Sequence, residues 1–350
     1  MKIIKPSHTY LSHEEKTARQ FIEQIGRICY KSTDKITDDS ADKFVKNLIK
    51  RKHLAMIEHE TVYAFLEPDF VKTLFYELTH ILRWDTSHIR VTYHSLGREK
   101  PYAVLSTNLR VIYELYEDLK YSYHRSPNPL IEAPPGACMR LVYAVLEVYF
   151  PDEYDYGKMT ICNQSLDDIY DEGETPISVF YGEEKFLEAQ RSTRDDSILY
   201  HHLRHSVLFT CDRGVSHELV RHRPCSFAME STRYCNYASG KFENEITVIE
   251  PFFYEENSNN YVRWKHACLQ AEEAYLKMLS DGSTPQEARN VLPNSLKTEI
   301  VMTATEEEWQ HIINLRYLGT TGAPHPQMKE LMGPWAEELQ RITKGRVHCM

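Results

Sequence analysis

The residues best suited to chemistry lie in the run RHRPCSFAMESTRY, residues 221–234. Three arginines (221, 223, 233) and two serines (226, 231) fall within these fourteen residues. A guanidinium fork binds phosphate bidentately, and serine hydroxyls with main-chain N–H groups complete an anion cradle. A bare Arg-His-Arg is usually a solvated basic turn. Arg-His-Arg followed by Ser231 and then Arg233-Tyr234 is a far more specific pattern.

Histidines nearby raise the question of a metal. His217-Glu218 resembles the start of a zinc-binding His-Glu-x-x-His, but the next histidine is His222. At a spacing of five, the second side chain swings roughly 140° off the shared helical face. His201 and His205 have the helical spacing of four but no evident carboxylate or thiolate partner. No metal site is expected.

Several elements must position these groups. Phe21, Ile22, Ile25 and Ile28 form one helical stripe, and Phe44, Val45, Leu48 and Ile49 another after Asp39/Ser40. The run ETVYAFL (60–66) reads as a strand and 69–84 as a helix. SVLFT (206–210) and ITVIEP (246–251) read as strands, and 261–279 as a helix ended by Gly282. Thr284-Pro285-Gln286-Glu287 is a capping box, and Thr305 with Glu308 repeats it ahead of WQHIINLRYL. Strands and helices mix without βαβ regularity, which predicts an α+β fold. There is neither GxGxxG nor GxxxxGK[ST], so a Rossmann or P-loop nucleotide site is not expected.

Between 68 and 205 the chain holds 14 of its 23 tyrosines, the mark of a folded insertion rather than a linker. The net charge of -10 argues against a general nucleic-acid binder. The most apolar stretch, Leu141 to Phe150, is too short to span a bilayer, and MKIIKPSHTY has no signal-peptide character. A cytoplasmic protein with reduced, scattered cysteines is the expectation.

RHRPCSFAMESTRY resembles the signature of flavin-dependent thymidylate synthases: Arg-His-Arg, seven residues, then Ser. KHLAMIEH (52–59), DRGVSHELVRHR (212–223), STRYCNY (231–237), ITVIEP, ARNVLPNSLKTEIVMT (288–303) and EWQHIINLR (308–316) extend the resemblance. It implies reductive methylation of dUMP to dTMP with methylenetetrahydrofolate, FAD and NADPH. It also implies helices around a central, mainly antiparallel sheet, and a homotetramer with FAD at subunit interfaces. The core would be one discontinuous domain, 1–67 with 206–350, and 68–205 a helical, Tyr-rich insertion. By the same resemblance, Arg221, His222 and Arg223 line the flavin and nucleotide site, with His53 and His311 at the flavin. Glu218, Ser231, Thr232, Arg233 and Arg289 hold dUMP. Arg316 binds the uracil ring and is the catalytic residue. His311 and Arg316 stand five apart on one helix and are expected to point in different directions.

This sequence also departs from the family pattern. Glu218 replaces a frequent glutamine, and Met229 a Gln or Glu. Thr305 and Glu307 replace an Asn-x-Arg flavin motif, while Asn108-Leu109-Arg110 appears within the insertion, either as its substitute or as a simple helix cap. The competing reading is a degenerate relative that binds dUMP or another nucleotide without turnover.

Overall fold

The computed structural model describes residues 1–94, 101–125, 136–150, 177–181, 186–187, 196–233 and 235–350. The loop DDIYDEGETP and Tyr234 of the signature lie outside them. The strands are β1 Lys2–Ile4, β2 Ser7–Leu11, β3 Thr61–Leu66, β4 Arg90–His94, β5 Tyr102–Asn108, β6 Ser178–Tyr181, β7 Arg204–Asp212, β8 Ser226–Met229, β9 Thr247–Ile249 and β10 Lys297–Thr305. The helices are α1 Ala18–Cys29, α2 Ser40–Lys50, α3 Pro68–Tyr76, α4 Leu109–Arg125, α5 Gly136–Tyr149, α6 Asp196–His202, α7 Arg213–Leu219, α8 Asn259–Ser280, α9 Pro285–Ala288, α10 Glu306–Ile313 and α11 Pro326–Ile342. Helices mixed with antiparallel sheets make this the α+β arrangement expected. No helix among the described residues is long and apolar enough to cross a membrane.

The chain divides into two compact units: 1–12, 23–47 and 204–350 in the first, 13–22 and 48–203 in the second. Residues 48–67, with His53 and β3, therefore belong to the second unit.

The first unit is built on a four-stranded antiparallel sheet of order β2-β7-β10-β8. Its long central pair runs in register from Lys297↔Asp212 to Thr305↔Arg204. Val207, Phe209, Ile300 and Met302 from this pair pack with Trp309, Trp335 and Leu339 of α10 and α11. Burial of such large apolar side chains contributes about 1.5–3 kcal/mol each. A second cluster joins Tyr237, Ile246 and Val248 to Cys268 and Tyr275 of α8. His205 is buried here and takes the Glu306 carboxylate at 3.0 Å, which Arg346 also grips through Nε and Nη2 at 2.8 Å each. That pairing supplies the carboxylate partner missing from the local sequence. It also ties the start of α10 to the C-terminal tail.

The second unit has a sheet of order β4-β5-β3-β6, again antiparallel. Every residue of β3 and β5 is buried, the pattern of central strands covered on both faces. The helix expected over 69–84 is α-helical to Tyr76 and then winds as a π-helix over Glu77–Ile81. There the Glu77 carboxylate accepts from the main-chain N–H groups of Ala137 (3.1 Å) and Cys138 (2.8 Å), capping α5.

The two sheets share one plan. In each, a helix follows both strands of the central pair: α7 and α10 after β7 and β10, α3 and α4 after β3 and β5. Their strand-to-helix junctions occupy equivalent register positions, with Arg204 facing Thr305 and Thr61 facing Asn108. The caps match as well. Thr305 Oγ1 accepts from Glu308 N at 3.2 Å, and Asn108 Oδ1 from Val111 N at 3.0 Å.

Candidate active site

Asp212 ends β7 and caps α7 by accepting from Val215 N at 2.8 Å. Helix α7 is short, and the chain leaves it through a series of turns in which Arg221 N reaches Glu218 O and His222 N reaches Leu219 O. These turns bury His222 while Arg221 and Arg223 on either side stay exposed. The alternation of the motif thus becomes one buried imidazole flanked by two solvent-facing guanidinium groups.

Arg316 meets this imidazole from another element. Its Nε donates to His222 Nε2 at 3.1 Å, and its Nη1 to Glu218 Oε2 at 2.8 Å. Because Nε2 accepts, the proton of the neutral ring resides on Nδ1, which lies 3.9 Å from Glu308 Oε1. Burial, followed by the nearby Arg316 and His311, lowers the His222 pKa to about 4, so the ring is neutral at physiological pH. Arg316 itself carries a permanent charge, fixed in direction by its two partners.

His311 approaches the same imidazole edge-on, with ring centroids 6.3 Å apart. The expectation that residues 311 and 316 point in different directions is therefore corrected: both converge on His222. The cause is local winding. Helix α10 gives way to a π-helical turn over Asn314–Leu318, and its wider coil changes the angular relation of residues five apart.

Ligand atoms of His222, Glu308 and His311 lie within 4.8 Å of one another, close enough to share a metal ion. Residue spacing along one helix does not reveal this group, because Glu308 and His311 lie on a different helix from His217 and Glu218. The Arg316 charge pressed against His222 opposes a cation there.

A second group gathers around the loop after β8. Glu230 N donates to Glu299 O at 2.8 Å, so the ladder reaches the loop before Ser231, Thr232 and Arg233 leave it. Cys235 N donates to Ser231 O at 3.0 Å, and Arg233 N to Ser231 Oγ at 3.3 Å, making this a tight turn. Arg289, just beyond α9, donates through Nη1 to Thr232 Oγ1 at 3.4 Å. The structure therefore brings together Glu218, His222, His311 and Arg316 in one cluster, and Ser231, Thr232, Arg233 and Arg289 in another. His53 lies on an exposed stretch after α2, in the second unit. Sequence reasoning missed Glu308 in the first cluster, although its spacing of three from His311 on a helix was a usable signal.

The first unit's antiparallel sheet and the elements that follow its strands thus bring together a fixed guanidinium, a neutral buried imidazole and several exposed arginines. The sequence profile of the family described as "Thymidylate synthase complementing protein" matches residues 147–343, more than half of the chain, and the chain belongs to that family. The match takes in part of the Tyr-rich segment, from 147 onward. A flavin-dependent thymidylate synthase of Thermococcus onnurineus is 30% identical over 160 residues, covering 45% of this chain and 64% of the relative. One from Geobacter sulfurreducens is 29% identical over 131 residues, covering 37% and 55%. The chain thus spans between about half and two thirds of these relatives' length. A UMP/dUMP methylase, PolB, of Streptomyces cacaoi bound with 5-Br dUMP matches with TM-score 0.34 at 22% identity, covering 45% of this chain and 74% of that one.

Proposed function

We propose that this protein is a flavin-dependent thymidylate synthase that methylates dUMP to dTMP with methylenetetrahydrofolate, FAD and NADPH. The observation that carries the reading is Arg316, a permanent charge held between Glu218 and His222. The uracil ring is a poor nucleophile at C5 until it becomes electron-rich. A fixed guanidinium at its N3–O4 edge favours the ionised ring, an effect strongest where water is excluded. Neutral His222 supports Arg316 as a hydrogen-bond acceptor without adding a competing positive charge. Ser231, Thr232, Arg233 and Arg289 hold the nucleotide, partly through main-chain N–H groups. The exposed cations Arg221 and Arg223, beside a neutral imidazole, fit the anionic and aromatic parts of a flavin dinucleotide. When bound, the flavin supplies one-carbon and hydride transfer, so no protein thiol need attack the ring. The working form is a cytoplasmic homotetramer with FAD at subunit interfaces, and His53 and His311 lie at the flavin.

The signature, the nucleotide loop and Arg316 all belong to the first unit, which makes it the catalytic core of this proposal. Asn108 and Arg110 hold, in the second unit, the places that Thr305 and Glu307 hold in the first. Arg110 carries a positive charge where Glu307 has a carboxylate, and is paired to Glu58 at 3.1 Å and Glu114 at 2.8 Å. We assign it a role in flavin retention. Purified protein titrated with FAD should develop a bound-flavin spectrum, and with all substrates should form dTMP. Absence of flavin binding would leave the degenerate-relative reading in its place. Arg110→Ala with undiminished FAD affinity would reduce the Asn108 junction to a helix cap.

A further inference from the structure

Glu230 is almost fully buried at the last step before the nucleotide loop, and its carboxylate is part of a closed ring of alternating charge. Its Oε2 takes Lys297 Nζ at 3.0 Å and Lys31 Nζ at 3.2 Å. Glu299 completes the ring, bound by Lys297 at 2.7 Å and in contact with Lys31. The four residues come from β10, the end of β8 and the turn after α1, where Lys31 adopts φ +50°. The other carboxylate oxygen, Glu230 Oε1, accepts from the Tyr237 hydroxyl at 3.2 Å. Tyr237 lies at the far end of the loop that Glu230 begins.

We propose that Glu230 is a positioning residue, which fixes Ser231, Thr232 and Arg233 for nucleotide binding by stapling both ends of their loop to a buried, charge-balanced anchor. The inference rests on the dUMP reading for its ligand but not for its geometry. Two lysines and two glutamates cancel, so the ring's attraction offsets its desolvation only while all four remain. Lys297 is held protonated well above its usual range despite burial, because Glu230 and Glu299 face it. The turn inside the staple has its own local hydrogen bonds, Cys235 N to Ser231 O and Arg233 N to Ser231 Oγ. With both ends fixed, the loop holds Ser231, Thr232 and Arg233 in place without an ordering cost at the moment of binding.

The test separates anchoring from general stability. Glu230→Leu leaves two lysines against one glutamate and should lower the thermal midpoint. Glu230→Leu with Lys297→Met restores charge balance, one lysine to one glutamate, and should recover most of that loss. In this double variant, amides 231–236 should exchange with solvent at least about tenfold faster while β10 stays protected. KM for dUMP should rise about tenfold, with kcat within about threefold and FAD affinity unchanged. Tyr237→Phe keeps all four charges and removes only the staple hydroxyl; it should move the same readings in the same direction by a smaller factor. Unchanged amide exchange at 231–236 in the double variant and in Tyr237→Phe would overturn the anchor, whatever the ligand. Faster exchange with an unchanged KM for dUMP would overturn its link to nucleotide binding. Wild-type protein that binds no dUMP would reject the functional reading, while amide exchange still decides the anchor.

Discussion

Cys225 and Arg316 offer the sharpest separation between a thiol mechanism and an electrostatic one. Cys225 lies inside the signature, two residues after Arg223, and is the obvious suspect for a nucleophile. The structure buries it to 4% exposure. Burial pushes its thiol well above the ordinary range, and the charge of Glu308 adds to the effect against a weaker opposing pull from Arg204. An exposed thiol with a pKa near 8.5 is about one quarter thiolate at pH 8, and Cys225 must hold far less. Arg316, by contrast, is permanently charged and aimed by two hydrogen bonds of 2.8 and 3.1 Å. Losing one preorganised group of this kind costs about 2.7–4 kcal/mol in the barrier, or about 100- to 1000-fold in rate. Cys225→Ser should therefore keep turnover within about tenfold, and Arg316→Ala should lose about 100-fold or more. The assay is dTMP formation from dUMP, methylenetetrahydrofolate and reduced nicotinamide, with FAD saturation verified spectrally for each variant. An inactive Cys225→Ser that still binds FAD and dUMP, beside an active Arg316→Ala, would refute the reasoning.

Two further outcomes follow from the site. Arg289→Ala should weaken dUMP binding by about 2–3 kcal/mol, the scale of a lost charged hydrogen bond, and leave FAD affinity unchanged; calorimetric titration of each ligand checks it, and equal loss of both would show the arginine misassigned. His222 is neutral in the fold down to about pH 4, whereas an unfolded histidine takes up its proton near 6.5. Between those values the unfolded state binds more protons, so His222 makes stability fall as pH drops from about 6.5 to 4 and leaves it level above. The thermal midpoint of His222→Gln should decline less steeply than wild type across that window. Buried His202, lowered to about 3, contributes in the same direction to both proteins and cancels from the comparison. Parallel curves would disprove the assignment.

Much of this protein is legible in its sequence, because many of its instructions are local. The stripe of Phe21, Ile22 and Ile25 becomes α1, ETVYAFL becomes β3, and Thr284 with Glu287 forms the capping box that opens α9. Each depends on neighbours within a turn or a pleat, where periodicity and capping chemistry act directly. The Arg-His-Arg and Ser231 signature is equally local, and so is the resemblance it carries. What the sequence left open depends on register between distant strands. Glu230 finds Lys31 from nearly two hundred positions away, and His205 finds Glu306 only because β7 and β10 align Arg204 with Thr305. The convergence of His311 and Arg316 on His222 needed a π-helical turn that no spacing rule announces. The common plan of the two sheets likewise emerges only from strand order, since segments far apart in the chain occupy equivalent places. The amino-acid sequence alone determined which groups are available and which local elements carry them. The tertiary structure decided which groups meet, because side-chain partnership is set by long-range strand register and helix winding, and neither is encoded by adjacent residues.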